Sequence, residues 1–166
     1  MSKNNLQDSF IEFCKKNNFE ENNQQIKIIN QLDNFINPKK NIFNYLFNSK
    51  KKLCFYLQGN VGVGKTMLLD FVYNHFIENK LRLHFNEFMI NFHDFRHKNE
   101  NDNSIRSFVK NLKSKYKLIY LDEFQVTNIV DAMILGKLFE VIFSENIKVI
   151  ITTNTKLNDL YKDGLQ

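Results

Sequence analysis

Apolar positions recur along this chain at helical spacing in some stretches and run together in others, and the changes of pattern mark its elements. Phe10, Ile11 and Cys14 open a short helical stripe, and Ile28, Ile29, Leu32, Phe35 and Ile36 repeat at helical spacing until Pro38 stops them. Ile42, Phe43, Leu46 and Phe47 predict another helical face. Apolar runs at 53–57, 81–85, 118–121 and 147–151 predict four strands. Between them, Met67, Leu68, Phe71, Val72 and Phe76 line one side of a helix ending near Asn79 and Lys80, and Phe88, Met89, Phe92 and Phe95 line the next. Ile105, Phe108, Val109 and Leu112 fall at i, i+3, i+4 and i+7, and residues 129–143 predict a long, mostly apolar helix. Strands alternating with helices predict an α/β fold with a mainly parallel sheet and right-handed crossovers. No internal repeat or low-complexity linker divides it.

Composition narrows the class. A chain of 166 residues has the length of one domain, and 43% apolar with 14% aromatic residues excludes a disordered one. No apolar run approaches a membrane span. Residues 1–23 are polar and Asn-rich, without the apolar region of a secretory signal or the arginines of a transit peptide, so a cytoplasmic location is expected. The net charge of +5 comes from scattered lysines, with only Lys50, Lys51 and Lys52 clustered, which is not the footprint of a nucleic-acid binder. Cys14 and Cys54 have no metal or redox spacing and read as free thiols, Cys54 inside an apolar strand. His93 and His97 stand one helical turn apart without a further ligand, which predicts a solvated helix face.

The chemistry lies where strands end. Gly59, Asn60, Val61, Gly62, Val63, Gly64, Lys65 and Thr66 match the pattern GxxxxGK[ST] between a strand and a helix. Glycines let such a loop turn its amides around phosphate oxygens, and the following helix presents its positive end. Lys65 is expected on the β and γ phosphates, with Met67 adjoining the loop. The Thr66 hydroxyl is expected on Mg²⁺, which keeps most of its waters and takes few protein oxygens beside the phosphates. Asp122 closes an apolar strand and is expected in the Mg²⁺ shell. Glu123 is expected to act as general base on the attacking water, and Asn154 to position that water or the γ phosphate. A guanine-reading Asn-Lys-x-Asp element is absent, the nearest stretch being Thr155, Lys156, Leu157 and Asn158, so ATP is the expected nucleotide.

More specific words follow the acidic pair. Leu121-Asp122-Glu123-Phe124-Gln125-Val126-Thr127, then Asp131-Ala132-Met133-Ile134-Leu135-Gly136, closely resembles the ZapE-type, AFG-like AAA+ ATPases. The likeness extends through Leu83-His84-Phe85 with Phe88-Met89, and through Asp159 to Leu165, and is strong from Leu53 to Gln166. The resemblance implies a three-layer P-loop core, ATP hydrolysis coupled to the handling of protein clients, and assembly as a homo-oligomer. In bacteria it implies a cell-division role at the Z ring, and in mitochondria quality control of inner-membrane proteins, with room for peripheral membrane association. It also implies that Gln25 corresponds to a family Gln near the adenine.

Three departures stand out. Thr155 and Lys137 occupy positions where the family pattern has Arg, and the sequence stops at Gln166, before the last core strand, the trans-acting arginine and the helical lid. An N-terminal fragment is therefore expected, with a helical lead-in over 1–50 packed on an incomplete core over 51–166. An arginine finger is worth about 10³ to 10⁵ in turnover, so hydrolysis is expected to be weak in this chain. Two other function classes share the core motifs: a nucleotide-switched binding module with little turnover, and a helicase-loader-type ATPase acting on nucleic acid.

Overall fold

The computed structural model describes residues 5–38, 52–76, 79–99, 103–126 and 129–156. The helical face at 42–47, the Lys50 and Lys51 pair and the words from Leu157 onward lie outside the described residues. The chain divides into two compact units, one of Met1–Lys52 with Thr66–Ile77, the other of Leu53–Lys65 with Glu78–Gln166.

The first unit is helical. Helices α1 (Leu6–Lys16) and α2 (Asn23–Ile36) each follow an Asn whose side chain accepts from an amide of the first turn, Asn22 from Gln24 at 2.8 Å. Helix α3 (Lys65–His75) belongs to this unit from Thr66 on. Phe71 of α3 meets Phe10 edge-on at 5.1 Å and Phe13 at 5.3 Å, so the first helical stripe of the sequence packs on α3. The Asn30 amide donates to the Gln7 side chain at 2.9 Å, tying α2 to α1.

The second unit is a four-stranded parallel sheet in the order β1-β4-β3-β2, from β1 (Cys54–Gln58), β2 (Lys80–His84), β3 (Leu118–Asp122) and β4 (Lys148–Thr153). Alternate residues Ile119, Leu121, Val149 and Ile151 share one core with α4 (Phe85–Lys98), α5 (Ser104–Lys115) and α6 (Ile129–Ser144). Leu118, Tyr120 and Ile150, of opposite parity, are buried as well. Burial on both faces is why these strands read as unbroken apolar runs.

Boundaries moved where pairing, and not hydrophobicity, decides. Polar Gln58 and Thr153 pair across β1 and β4, and Asp122 lies beside His84, so the ladders run past the apolar runs. Phe85 starts α4 instead of ending β2, and α3 stops at His75, before the predicted end. Because all four strands run the same way, Gln58, His84, Asp122 and Thr153 end at one edge of the sheet, where ligands bind in open parallel sheets.

Candidate nucleotide site

The phosphate-loop pattern begins at the end of β1. The Gly59 amide donates to the Thr153 carbonyl at 3.2 Å and carries the β1–β4 ladder one step into the loop. Gly62 and Gly64 then take φ of 82° and 81°, a left-handed backbone that side-chain-bearing residues resist, which is the physical reason for glycine at both. The Lys65 ammonium turns back into this loop. It donates to the carbonyls of Gly59 at 2.7 Å and Asn60 at 2.8 Å, and to Asn154 Oδ1 at 2.9 Å. All three ammonium donors have acceptors that incoming phosphate oxygens can replace.

Asp122, at the end of β3, is buried. The Thr152 hydroxyl and the Glu123 amide, at 3.1 Å, donate to its Oδ1, and the Arg82 guanidinium donates to Oδ2 at 3.2 Å. Arg82 also stands over the Tyr120 ring, 5.0 Å from its centroid. Burial pushes the Asp122 pKa up, but the Thr152 hydroxyl, the Arg82 guanidinium and the Glu123 amide together outweigh it and hold the carboxyl below its ordinary value of 3.8. A depressed folded pKa gives stability that is present above the unfolded value and is lost as pH falls through the folded one. Arg82→Ala is accordingly expected to cost about 1 to 2 kcal/mol near neutral pH, the value of a charged hydrogen bond discounted for Arg82's side-chain exposure of 32%. Thermal melts from pH 7 to pH 3 check this: the difference between variant and parent should shrink toward the acid end, and a constant difference would contradict the ionic origin.

Glu123 contrasts with its neighbour. Its side chain is 76% exposed, with the His84 Nδ1 3.6 Å from its Oε2, too far for a hydrogen bond. Its φ is 55°. The other described non-glycine residues with positive φ are Asn18 and Asn146, of the type that accepts this conformation, whereas a Glu there is unusual. Phe124 turns inward, 4.5 Å from the Phe85 ring and 6.5 Å from Tyr56. Its amide donates to the Thr152 carbonyl at 2.8 Å, and its carbonyl accepts from the Thr153 hydroxyl at 2.7 Å.

The structure thus brings Gly59, Asn60, Lys65 and Asn154 into one hydrogen-bonded cluster, and Asp122 with Glu123 into another. The consecutive residues Thr152, Thr153 and Asn154 connect them. Val61 and Val63 are exposed on the loop. Gln25, Thr66 and Met67 belong to the first unit, where Thr66 is exposed and the other two are half-buried. The buried carboxylate of Asp122 is a hard oxygen donor of the kind magnesium prefers, and the exposed Thr66 hydroxyl is another, in the other unit. Among the described residues no group of three His, Cys, Asp or Glu is gathered to hold a metal.

Sequence reasoning assigned no role to Arg82, Thr152 or Thr153. Thr152 and Thr153 are polar side chains at the end of an otherwise apolar strand, which was the available signal, while Arg82 needed the pairing of β2 with β3. Two expectations need correction. His93 is not on a merely solvated face, since its Nε2 lies 2.9 Å from Asp131 Oδ1 and joins α4 to α6. Cys54 is exposed, because β1 is the edge of the described sheet; both cysteines are free thiols.

The model of the AFG1-like ATPase family matches residues 5–166. The chain belongs to that family. This AFG1-like chain is 42% identical over 126 residues to Lactation elevated protein 1 homolog B of Danio rerio, a match covering 68% of this chain and 25% of that protein. It is 35% identical over 113 residues to Cell division protein ZapE of Escherichia coli strain K12, covering 67% and 30%. It therefore spans between a quarter and a third of the length of these relatives. In fold it is similar to the DnaC helicase loader, with a TM-score of 0.57 at 17% identity over 86% of this chain and 81% of that one. The corresponding values for DnaI are 0.56, 21%, 89% and 78%. The α/β architecture is that of P-loop ATPase domains, as the motif predicts. Among the described residues no helix is long and apolar enough to cross a membrane.

Proposed function

We propose that this AFG1-like chain is the nucleotide core of a Mg²⁺-dependent ATPase that couples ATP turnover to the handling of protein clients. The observation that carries the reading is the Lys65 ammonium, held by loop carbonyls and by Asn154, at the same sheet edge where Asp122 and Glu123 close the next strand but one. In this reading the loop from Gly59 to Thr66, with Met67, receives the phosphates and Gln25 lies toward the adenine. Lys65 bonds the β and γ phosphates, Thr66 and Asp122 serve the magnesium, and Glu123 takes a proton from the attacking water. Asn154 changes partner from Lys65 to the γ phosphate or that water. Bound magnesium would supply charge neutralisation for the phosphates.

The exposed carboxylate of Glu123 and its left-handed backbone support the role of base, since backbone outliers gather where function holds them. The protein client comes from the family resemblance carried by the words from Leu121 to Gly136, while the DnaC and DnaI likeness is one of fold alone. Oligomerisation with a neighbour's arginine completes the catalytic surround in this reading, on the cytoplasmic side with peripheral membrane association where clients are membrane proteins.

Calorimetric titration tests the nucleotide assignment. Saturable binding of Mg-ATP, at least roughly tenfold tighter than Mg-GTP, is the expected result. Equal affinity for both would overturn the adenine reading, and absence of binding would overturn the site.

A further inference from the structure

We infer that Thr153 is a positioning residue, whose buried hydroxyl fixes the left-handed turn at Glu123 and the adjoining turn at Asn154 together. The inference deepens the ATPase reading and rests on Glu123 acting as its base.

Glu123 occupies a conformation that an ordinary side chain leaves unless its neighbours are fixed. On its N-terminal side, Leu121 is paired with Ile151 in the ladder, and the Asp122 carboxylate is held by the Thr152 hydroxyl. On its C-terminal side, Phe124 is tied to β4 through both of its backbone groups, the amide to Thr152 and the carbonyl to the Thr153 hydroxyl. Its ring is anchored among Phe85, Tyr56 and Phe139. With both flanks attached to one neighbouring strand, the single residue between them absorbs the turn, and its side chain is left in solvent. Of these ties, the Thr153 hydroxyl is the one that also reaches another functional segment. While donating to Phe124, it accepts from the Thr155 amide at 3.0 Å, so it spans Asn154 as well. The turn beyond is braced again by the Tyr56 hydroxyl, which donates to the Thr155 carbonyl at 3.0 Å. Asn154 Oδ1 in turn accepts from Lys65. One hydroxyl on a residue 2% exposed therefore registers the proposed base against the proposed γ-phosphate contact, without reaching substrate itself.

Thr153→Val keeps the shape and removes the donor and the acceptor; Thr153→Ser keeps both. Three readouts on the full chain test the role: the Glu123 backbone angle in a crystal structure of each variant, binding of a fluorescent ATP analogue with Mg²⁺, and steady-state hydrolysis. In Thr153→Val, Glu123 should leave φ near 55°, analogue binding should stay within about twofold, and kcat should fall roughly 10- to 100-fold at nearly constant KM. Thr153→Ser should restore both angle and kcat. Retention of the angle in Thr153→Val, or retention of kcat despite a changed angle, overturns the inference. Glu123→Gln run in parallel separates the two levels: if it hydrolyses ATP like the parent, the reading of Glu123 as the base fails, and the backbone angle alone then decides whether Thr153 sets the turn.

Discussion

Glu123→Gln is expected to bind Mg-ATP as the parent chain does and to lose about 10² to 10⁴ in turnover, the usual contribution of a positioned general base. The substitution keeps the length and shape of the side chain and one oxygen acceptor, and takes away only the basicity. Because the side chain is 76% exposed and makes no hydrogen bond in range, its replacement disturbs no packing and leaves no buried partner unsatisfied. Gln also gains no advantage over Glu at φ of 55°, so the turn itself is unchanged. A loss confined to kcat would place the carboxylate in the transition state and not in ground-state binding. Phosphate release at saturating Mg-ATP, set beside calorimetric affinity, checks the split. Turnover equal to the parent would remove Glu123 from the mechanism.

Much of this arrangement was legible because its signals are local. The phosphate loop is a contiguous word whose glycines answer a local backbone need at Gly62 and Gly64. Asp122 announces itself by ending an apolar run, and parallel strands buried on both faces are apolar without alternation, so β3 and β4 stood out. What stayed hidden depends on which strands become neighbours. The order β1-β4-β3-β2 puts Arg82 beside Tyr120 and Asp122, residues about forty positions away, and sets Thr152 and Thr153 against a turn some thirty positions earlier. A periodicity argument cannot see such pairings, and an Arg inside a short strand reads only as a polar interruption. The bond of His93 to Asp131 was missed for the same reason, since it joins two helices whose packing the spacing of neither reveals. Strand ends slipped by a residue or so because polar residues such as Gln58 and Thr153 join ladders that hydrophobicity alone would close early.

Lys65→Ala tests the opening element of the site, and its expected effect is on binding. Mg-ATP affinity should weaken by about 10² to 10³, equivalent to roughly 3 to 4 kcal/mol, the sum of one or two charge-assisted hydrogen bonds to phosphate. The fold should tolerate the change. The acceptors that Lys65 leaves, on Gly59, Asn60 and Asn154, line an exposed or partly exposed loop where water can take its place, so the melting temperature should move little. Lys65→Arg sharpens the point. Three acceptors converge on one nitrogen at 2.7 to 2.9 Å, a demand that a compact, rotatable ammonium meets and a planar guanidinium, with its donors spread over three nitrogens, does not. Arg should therefore fail to restore affinity although it restores the charge. If Lys65→Arg bound as tightly as the parent, long-range charge and not directed bonding would be what the loop requires. Parent-like affinity in Lys65→Ala would mean that nucleotide is held elsewhere in the chain.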